Sequence, residues 1–136
     1  MKYFFQYPDL IGPVGSLLDA GPIQELAVAC EQSGWGAFSF TDHPAPGARW
    51  LSSGGHQSLD PFVALTAVAA VTSKILLVPY LVVLPYRNPF ITAKAAATVD
   101  LISNGRFVLG VGTGYLKGEY HAVGVNFDER NALFDE

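Results

Sequence analysis

Residues 75–84 read Ile75-Leu-Leu-Val-Pro-Tyr-Leu-Val-Val-Leu84, an almost unbroken apolar run interrupted at Pro79. A strand with one wet face alternates apolar and polar residues, whereas a continuous run marks a strand covered on both faces, as in a parallel sheet flanked by helices. The neighbouring segments carry the helices such a sheet requires. Upstream, Asp60-Pro61 has the form of an N-cap followed by a proline at the first helical position, and Leu65, Val68, Ala69 and Thr72 fall on one face. Downstream, Asn88-Pro89 repeats that signal and opens a helix through Ile91, Ala95 and Ile102, ended by Ser103-Asn104-Gly105.

The same alternation extends in both directions. Tyr3 to Tyr7 is a short aromatic run closed by Pro8, which predicts a buried strand. From Asp19 the pattern becomes helical, with Pro22 in the first turn, Ile23, Leu26, Ala27 and Cys30 on one face and Gly34 at the C′ position. Ala37 to Thr41 predicts a second strand and Arg106 to Val111 a fourth. Strand–helix steps in succession give an α/β class with about four parallel strands and crossover helices. Two architectures fit: an open doubly wound sheet, or the N-terminal half of a (β/α)8 TIM barrel, whose usual length is roughly 250 residues. The final stretch, Asp128 to Glu136, begins like a helix and stops without a cap. That favours residues 1–136 as a single incomplete barrel domain truncated in its fourth helix.

Composition narrows the chemistry. Half of the 136 residues are hydrophobic, enough for a core, and the formal charge of -4 with no basic run argues against nucleic acid or an anionic membrane as partner. The single cysteine, Cys30, lies on the apolar stripe of a helix and reads as a buried structural thiol in a reducing compartment. The N-terminal residues lack a signal-peptide pattern, so the expected location is cytoplasmic.

Three places carry candidate chemistry. Asp42 and His43 stand where the second strand ends, the end at which α/β folds bind ligands. A histidine there can move protons near neutral pH. Adjacent residues of extended chain face opposite ways, so one of the pair can meet a ligand while the other ties down the loop; a turn with Asp42 capping the backbone is the competing reading. Gly110, Gly112 and Gly114 recur with period two. They either bare the strand backbone to a flat ligand or relieve crowding inside a barrel. Tyr115 stands where a dinucleotide fingerprint would need glycine, although Asp128 is placed tolerably for a ribose-binding acid. Arg87 follows the third strand and is either a rim cation or the partner of an acid, and Trp50 either lines a substrate pocket or pins its loop. His43, His56 and His121 have no zinc-ligand spacing, so no metal is expected.

The stretches FTDHPAP (40–46), LVVLPYRNPFITAKAAATVDLISNGRFVLGVGTGY (81–115) and EYHAVGVNFDERNALFDE (119–136) closely resemble the luciferase-like monooxygenase superfamily, and within it the oxidoreductases that use the deazaflavin coenzyme F420. The resemblance covers essentially the whole chain and implies a (β/α)8 barrel of about twice this length. It implies hydride transfer between F420 and a small organic substrate. The alternatives are an FMN-dependent monooxygenase of the same fold and a non-catalytic half-barrel remnant. Carried over by position, the resemblance places Asp42 near the cofactor ring and gives His43 the proton handling. It puts a non-prolyl cis peptide at Tyr80–Leu81 behind the ring and the ring-contacting turn at Gly112, Thr113 and Gly114. Trp50 and Tyr115 fall on the substrate side. Relatives that oxidise sugar phosphates carry a glutamate directly after that Gly-Thr-Gly; Tyr115 replaces it here, which argues against that substrate class and leaves the general acid unassigned. Phosphate anchoring is expected from later strands, and a homodimer is the assembly the family implies.

Overall fold

The computed structural model describes residues 3–7 and 22–136, so Pro8 and the expected helix start at Asp19 lie outside the described residues. In chain order the elements are β1 (Phe4–Tyr7), α1 (Ile23–Gln32), β2 (Ala37–Phe40), α2 (Ala48–Ser52), α3 (Pro61–Val71), β3 (Leu76–Pro79), β4 (Val82–Val83), α4 (Pro89–Ser103), β5 (Val111–Gly112), α5 (Lys117–Ala122) and α6 (Arg130–Asp135). Strands β1, β2 and β3 form a parallel sheet in that order, and β4 pairs with β5, also parallel. The class is α/β with parallel strands, as the apolar runs require.

Helix boundaries follow their capping chemistry. Asp60 accepts from the backbone N–H groups of Phe62 and Val63, and Asn88 from those of Phe90 and Ile91. Each satisfies donors that the first helical turn leaves orphaned, and each precedes a proline that has no donor to satisfy. Helix α1 has Pro22 one place before its first residue and ends on Gly34 at φ +79°. There the Trp35 N–H reaches the Cys30 carbonyl and the Gly34 N–H the Glu31 carbonyl, the paired bonds of a Schellman ending. Asn104, at φ 58°, does the same for α4.

The core lies where α1 and α3 cover the sheet: Phe38, Phe40, Leu65, Val68, Leu77 and Val82 are essentially inaccessible. Leu65, Val68 and Ala69 lie on the inner face of α3 as the periodicity predicts, and Thr72, also buried, follows the helix and donates its hydroxyl to the Val68 carbonyl. Three expectations need correction. Of residues 3–7 only Tyr7 is buried, while Tyr3 and Phe4 stand exposed at the edge of the sheet, where β1 pairs with β2 alone among the described residues. In α4 the inner face is Thr92, Val99 and Ser103 with Ala95 and Ala96 half in, while Ile91 and Ile102 point outward. Which face of α4 is buried is set by how the helix docks on its neighbours, which periodicity alone does not specify.

The third correction concerns the strands. The run 75–84 is two strands, not one: Pro79 has no N–H to give, and the peptide between Tyr80 and Leu81 is cis. The partner is interrupted to match, so Arg106 to Val111 is not a continuous strand. Phe107 bridges Leu77, the Val82 N–H reaches the Gly110 carbonyl, and regular pairing resumes at Val111–Gly112.

Glu31, at the end of α1, anchors the entry to β3. Its carboxylate accepts from the backbone N–H of Ser73, Lys74 and Ile75 at 2.6–3.1 Å. Partial burial pushes this carboxyl up, but the backbone bonds from Ile75, Lys74 and Ser73 outweigh it and hold it below the usual carboxylate range. A depressed folded-state value contributes stability that is present above the unfolded value and is lost as pH falls through the folded one. Glu31→Gln therefore lowers unfolding free energy at neutral pH by about 1 kcal/mol, after allowance for solvent screening, and flattens its acid dependence below about pH 4. Urea unfolding of both proteins across that range measures it.

Candidate active site

The carboxyl ends of the strands converge on a cleft of about 500 Å³. Gln6 enters it from β1, Thr41, Asp42 and His43 follow β2, Tyr80, Leu81 and Val83 come from the β3–β4 break, and Gly112 to Leu116 follow β5. The expected residues Asp42, His43, Tyr80, Leu81, Gly112, Thr113, Gly114 and Tyr115 all line it, joined by His56, Tyr86 and Glu119. Trp50 does not. It packs against Gly55, stands 4.6 Å from His43 and 5.3 Å from His56 between ring centroids, and lines a neighbouring groove. It buttresses the histidines from behind.

Asp42 and His43 divide their tasks. The Asp42 side chain is 2% exposed. Its Oδ2 accepts from the Val83 N–H at 3.0 Å and the Arg87 Nε at 3.2 Å, and its Oδ1 from the Arg87 Nη2 at 2.7 Å. Arg87 continues to the Asp60 Oδ2 at 3.1 Å and lies over the Phe62 ring. Arg87 is thus the partner of acids and not a cation offered to a ligand. This bidentate pair fixes the end of β2 against β4 and the caps of α3 and α4.

His43 faces the cleft. Its side chain is 11% exposed, and its Nδ1 lies 3.2 Å from the Glu119 Oε2. Glu119, on α5, also accepts from the Tyr86 hydroxyl at 3.2 Å and the Ala45 N–H at 3.4 Å. Burial first, then the Glu119 charge and hydrogen bond, push the Tyr86 hydroxyl well above the usual tyrosine range, so Tyr86 remains a donor at any working pH. His56 donates to or accepts from the Thr41 hydroxyl at 3.0 Å and meets His43 edge to face at 5.0 Å.

The glycines answer a packing need. A Cβ on Gly110 would sit 2.4 Å from the Pro79 carbonyl oxygen, one on Gly112 2.7 Å from the Leu81 side chain, and one on Gly114 2.7 Å from Val83. Each makes room for the irregular β3–β4 segment, and Gly114 also turns at φ +69°. The Tyr120 hydroxyl holds the Thr113 carbonyl, fixing this turn from beneath. Asp128 lies in a short 3-10 turn and does not line the cleft.

Glu119 is the residue sequence reasoning misses. It belongs to no motif with catalytic spacing, and its partner His43 is 76 positions away. The sole local signal is a carboxylate one helical turn past Tyr115, just beyond the Gly-Thr-Gly strand end. Among the described residues no helix is long and apolar enough to cross a membrane, and no cluster of three metal-ligating side chains occurs.

The fold is α/β with parallel strands, and the cleft lies at their carboxyl ends, the end at which such folds bind ligands. The chain belongs to the luciferase-like monooxygenase family, whose model matches residues 6–136. It is 36% identical over 115 residues to the F420-dependent glucose-6-phosphate dehydrogenase of Kineococcus radiotolerans, covering 84% of this chain and 33% of that protein. It is 32% identical over 102 residues to the 4-hydroxyprotoasukamycin monooxygenase of Streptomyces nodosus subsp. asukaensis, covering 75% and 26%. Monooxygenase RslO1 from Streptomyces bottropensis superposes with a TM-score of 0.84 at 29% identity, covering 99% of this chain and 40% of that one. The chain spans about a third of the length of the curated relatives it matches.

The Asp42–Arg87 pair lends itself to measurement. Arg87→Met leaves the Asp42 carboxylate buried without a counter-charge and costs about 3–5 kcal/mol. Asp60→Asn, which keeps the cap and loses a half-exposed ion pair, costs about 1 kcal/mol or less. Urea denaturation of the two variants gives that order.

Proposed function

We propose that the chain supplies half of the catalytic site of an F420-dependent oxidoreductase, transferring hydride between the deazaflavin and a small uncharged organic substrate. In this reading the strands are the N-terminal half of a (β/α)8 barrel. The observation that carries the proposal is the cleft itself, where His43, held by a buried carboxylate, stands on the same rim as the Gly112-Thr113-Gly114 turn and the Tyr80–Leu81 peptide. The similarity to F420-dependent dehydrogenases supports it.

The residues present suit a flat, uncharged ring. The floor is backbone and aliphatic surface from Leu81, Gly112 and Thr113, and the described lining includes no lysine or arginine. The phosphates of a bound cofactor therefore belong elsewhere, on later barrel loops. When bound, the deazaflavin supplies a ring carbon that accepts or gives hydride. The protein's own part is proton handling and positioning. In the oxidative direction, the His43 Nε2 takes the hydroxyl proton as the substrate carbon loses hydride and its C–O bond becomes a carbonyl; in reverse, the imidazolium returns that proton. Tyr80, Leu81, Gly112, Thr113 and Gly114 seat the ring, Asp42 fixes the rim through Arg87, and Tyr115 borders the substrate space. A cleft whose described lining holds the Glu119 carboxylate and no lysine or arginine disfavours an anionic substrate. A homodimer in a reducing, cytoplasmic setting is the assembly this reading implies.

The FMN-dependent monooxygenase is the second reading, favoured by the structural likeness to RslO1. Fluorescence titration of the complete barrel protein with F420 and with FMN decides between them: F420 binds and FMN does not, whereas tight FMN binding without F420 binding overturns the proposal. In the F420-loaded enzyme, His43→Ala retains cofactor and loses turnover by about 100-fold or more. Unchanged turnover would remove His43 from the chemistry.

A further inference from the structure

The proton-handling role of His43 leaves open which ring nitrogen carries a hydrogen in the neutral state. An imidazole can act as a base toward the cleft only if the lone pair is on the nitrogen that faces it.

Glu119 supplies the missing constraint. Its side chain is 2% exposed, and it receives the Tyr86 hydroxyl, the Ala45 N–H and the His43 Nδ1. Among the described residues no lysine or arginine forms an ion pair with it; Arg87 is engaged by Asp42 and Asp60. A carboxylate only accepts, so Nδ1 must carry the hydrogen that fills the 3.2 Å gap. Tyr86 cannot reverse the bond, because its hydroxyl is itself a donor to the same oxygen. The Nε2 of His43 has no hydrogen-bond partner among the described residues. Trp50 at 4.6 Å and His56 at 5.0 Å limit rotation of the ring about its own axis.

We infer that Glu119 is the positioning residue of this site: it fixes His43 in the Nδ1–H tautomer, presents Nε2 to the cleft as the acceptor, and provides the counter-charge when that nitrogen takes a proton. The inference rests on the reading of His43 as the group that handles the proton. Glu119 acts through His43, whose Nδ1 it holds at 3.2 Å, rather than on the reacting atoms. It accounts for a buried carboxylate that has no cationic partner other than the histidine. The proton it governs is the one exchanged with substrate at Nε2; the Nδ1 hydrogen remains on the histidine throughout.

The test is the tautomer itself. The protein is labelled with 15N-histidine and long-range proton–nitrogen spectra are recorded at about pH 9, above the ordinary imidazole range, with the His43 signals identified by their loss in His43→Gln. The expected wild-type pattern is Nδ1 protonated and Nε2 bare. In Glu119→Gln the side-chain amide can donate to Nδ1, so the pattern shifts to Nε2–H or to a mixture. Tyr86→Phe, which leaves the His43–Glu119 bond in place, retains the wild-type pattern. A wild-type spectrum with Nε2 protonated overturns the inference whether or not any variant folds, and so does a spectrum identical to wild type from Glu119→Ala, which leaves Nδ1 no side-chain acceptor. In the loaded enzyme, Glu119→Gln lowers kcat by about 100-fold with KM little changed. The tautomer needs neither cofactor nor substrate, so its failure and a failure of F420 binding are separately visible.

Discussion

The rim of this cleft is set by a carboxylate that has been taken out of water. Asp42 ends β2 with its side chain buried, and the arrangement is tolerable only because the Arg87 fork and the Val83 N–H answer both oxygens. Three otherwise separate pieces are thereby joined: the strand that bears His43, the short β4 beyond the sheet break, and the start of α4, which Arg87 immediately precedes. Asp60 adds a fourth, since the cap of α3 shares the same guanidinium. A lysine could not replace Arg87, because a point charge lacks the planar fork that meets two acids at once.

The break between β3 and β4 depends on that joint. A continuous strand through residues 75–84 would run past the cleft; interrupted at Pro79 to Leu81, it turns Tyr80 and Leu81 onto the cleft wall. The opposing strand yields where it faces the irregularity, and Gly110, Gly112 and Gly114 each lack the Cβ that would collide with it. The glycine repeat that first suggests a bare ligand platform is therefore a packing consequence that also leaves part of the cleft floor as backbone. Both of the sequence readings of these residues describe one surface from its two sides.

Helix α5 then closes the site. It is short, uncapped by any side chain, and held through Tyr120, whose ring lies between Tyr86 and Phe127 while its hydroxyl binds the Thr113 carbonyl. That anchorage places Glu119 beneath His43. The site thus has two carboxylates with opposite assignments, one neutralised by arginine to build the rim and one left to a histidine that faces the cleft.

What the sequence by itself determined is local or periodic. Continuous apolar runs define buried parallel strands, Asp60-Pro61 and Asn88-Pro89 define helix starts, Gly34 and Asn104-Gly105 define helix ends, and each follows from backbone donors and φ preferences within a few residues. The resemblance in residues 40–46 and 81–115 located the family, the cis bond and most of the cleft. Tertiary structure decided what depends on partners far along the chain. Spacing assigned Ile91 and Ile102 to the core of α4, but the face that the docked helix buries is that of Thr92, Val99 and Ser103. It read Arg106 to Val111 as one strand, but pairing requires donors that Pro79 on the neighbour does not have. It divided Asp42 and His43 into a ligand-facing and a loop-tying residue without saying which is which, and it passed over Glu119, because the burial and charge of a carboxylate are set by what folds against it, and here those partners come from 45 and 76 positions away.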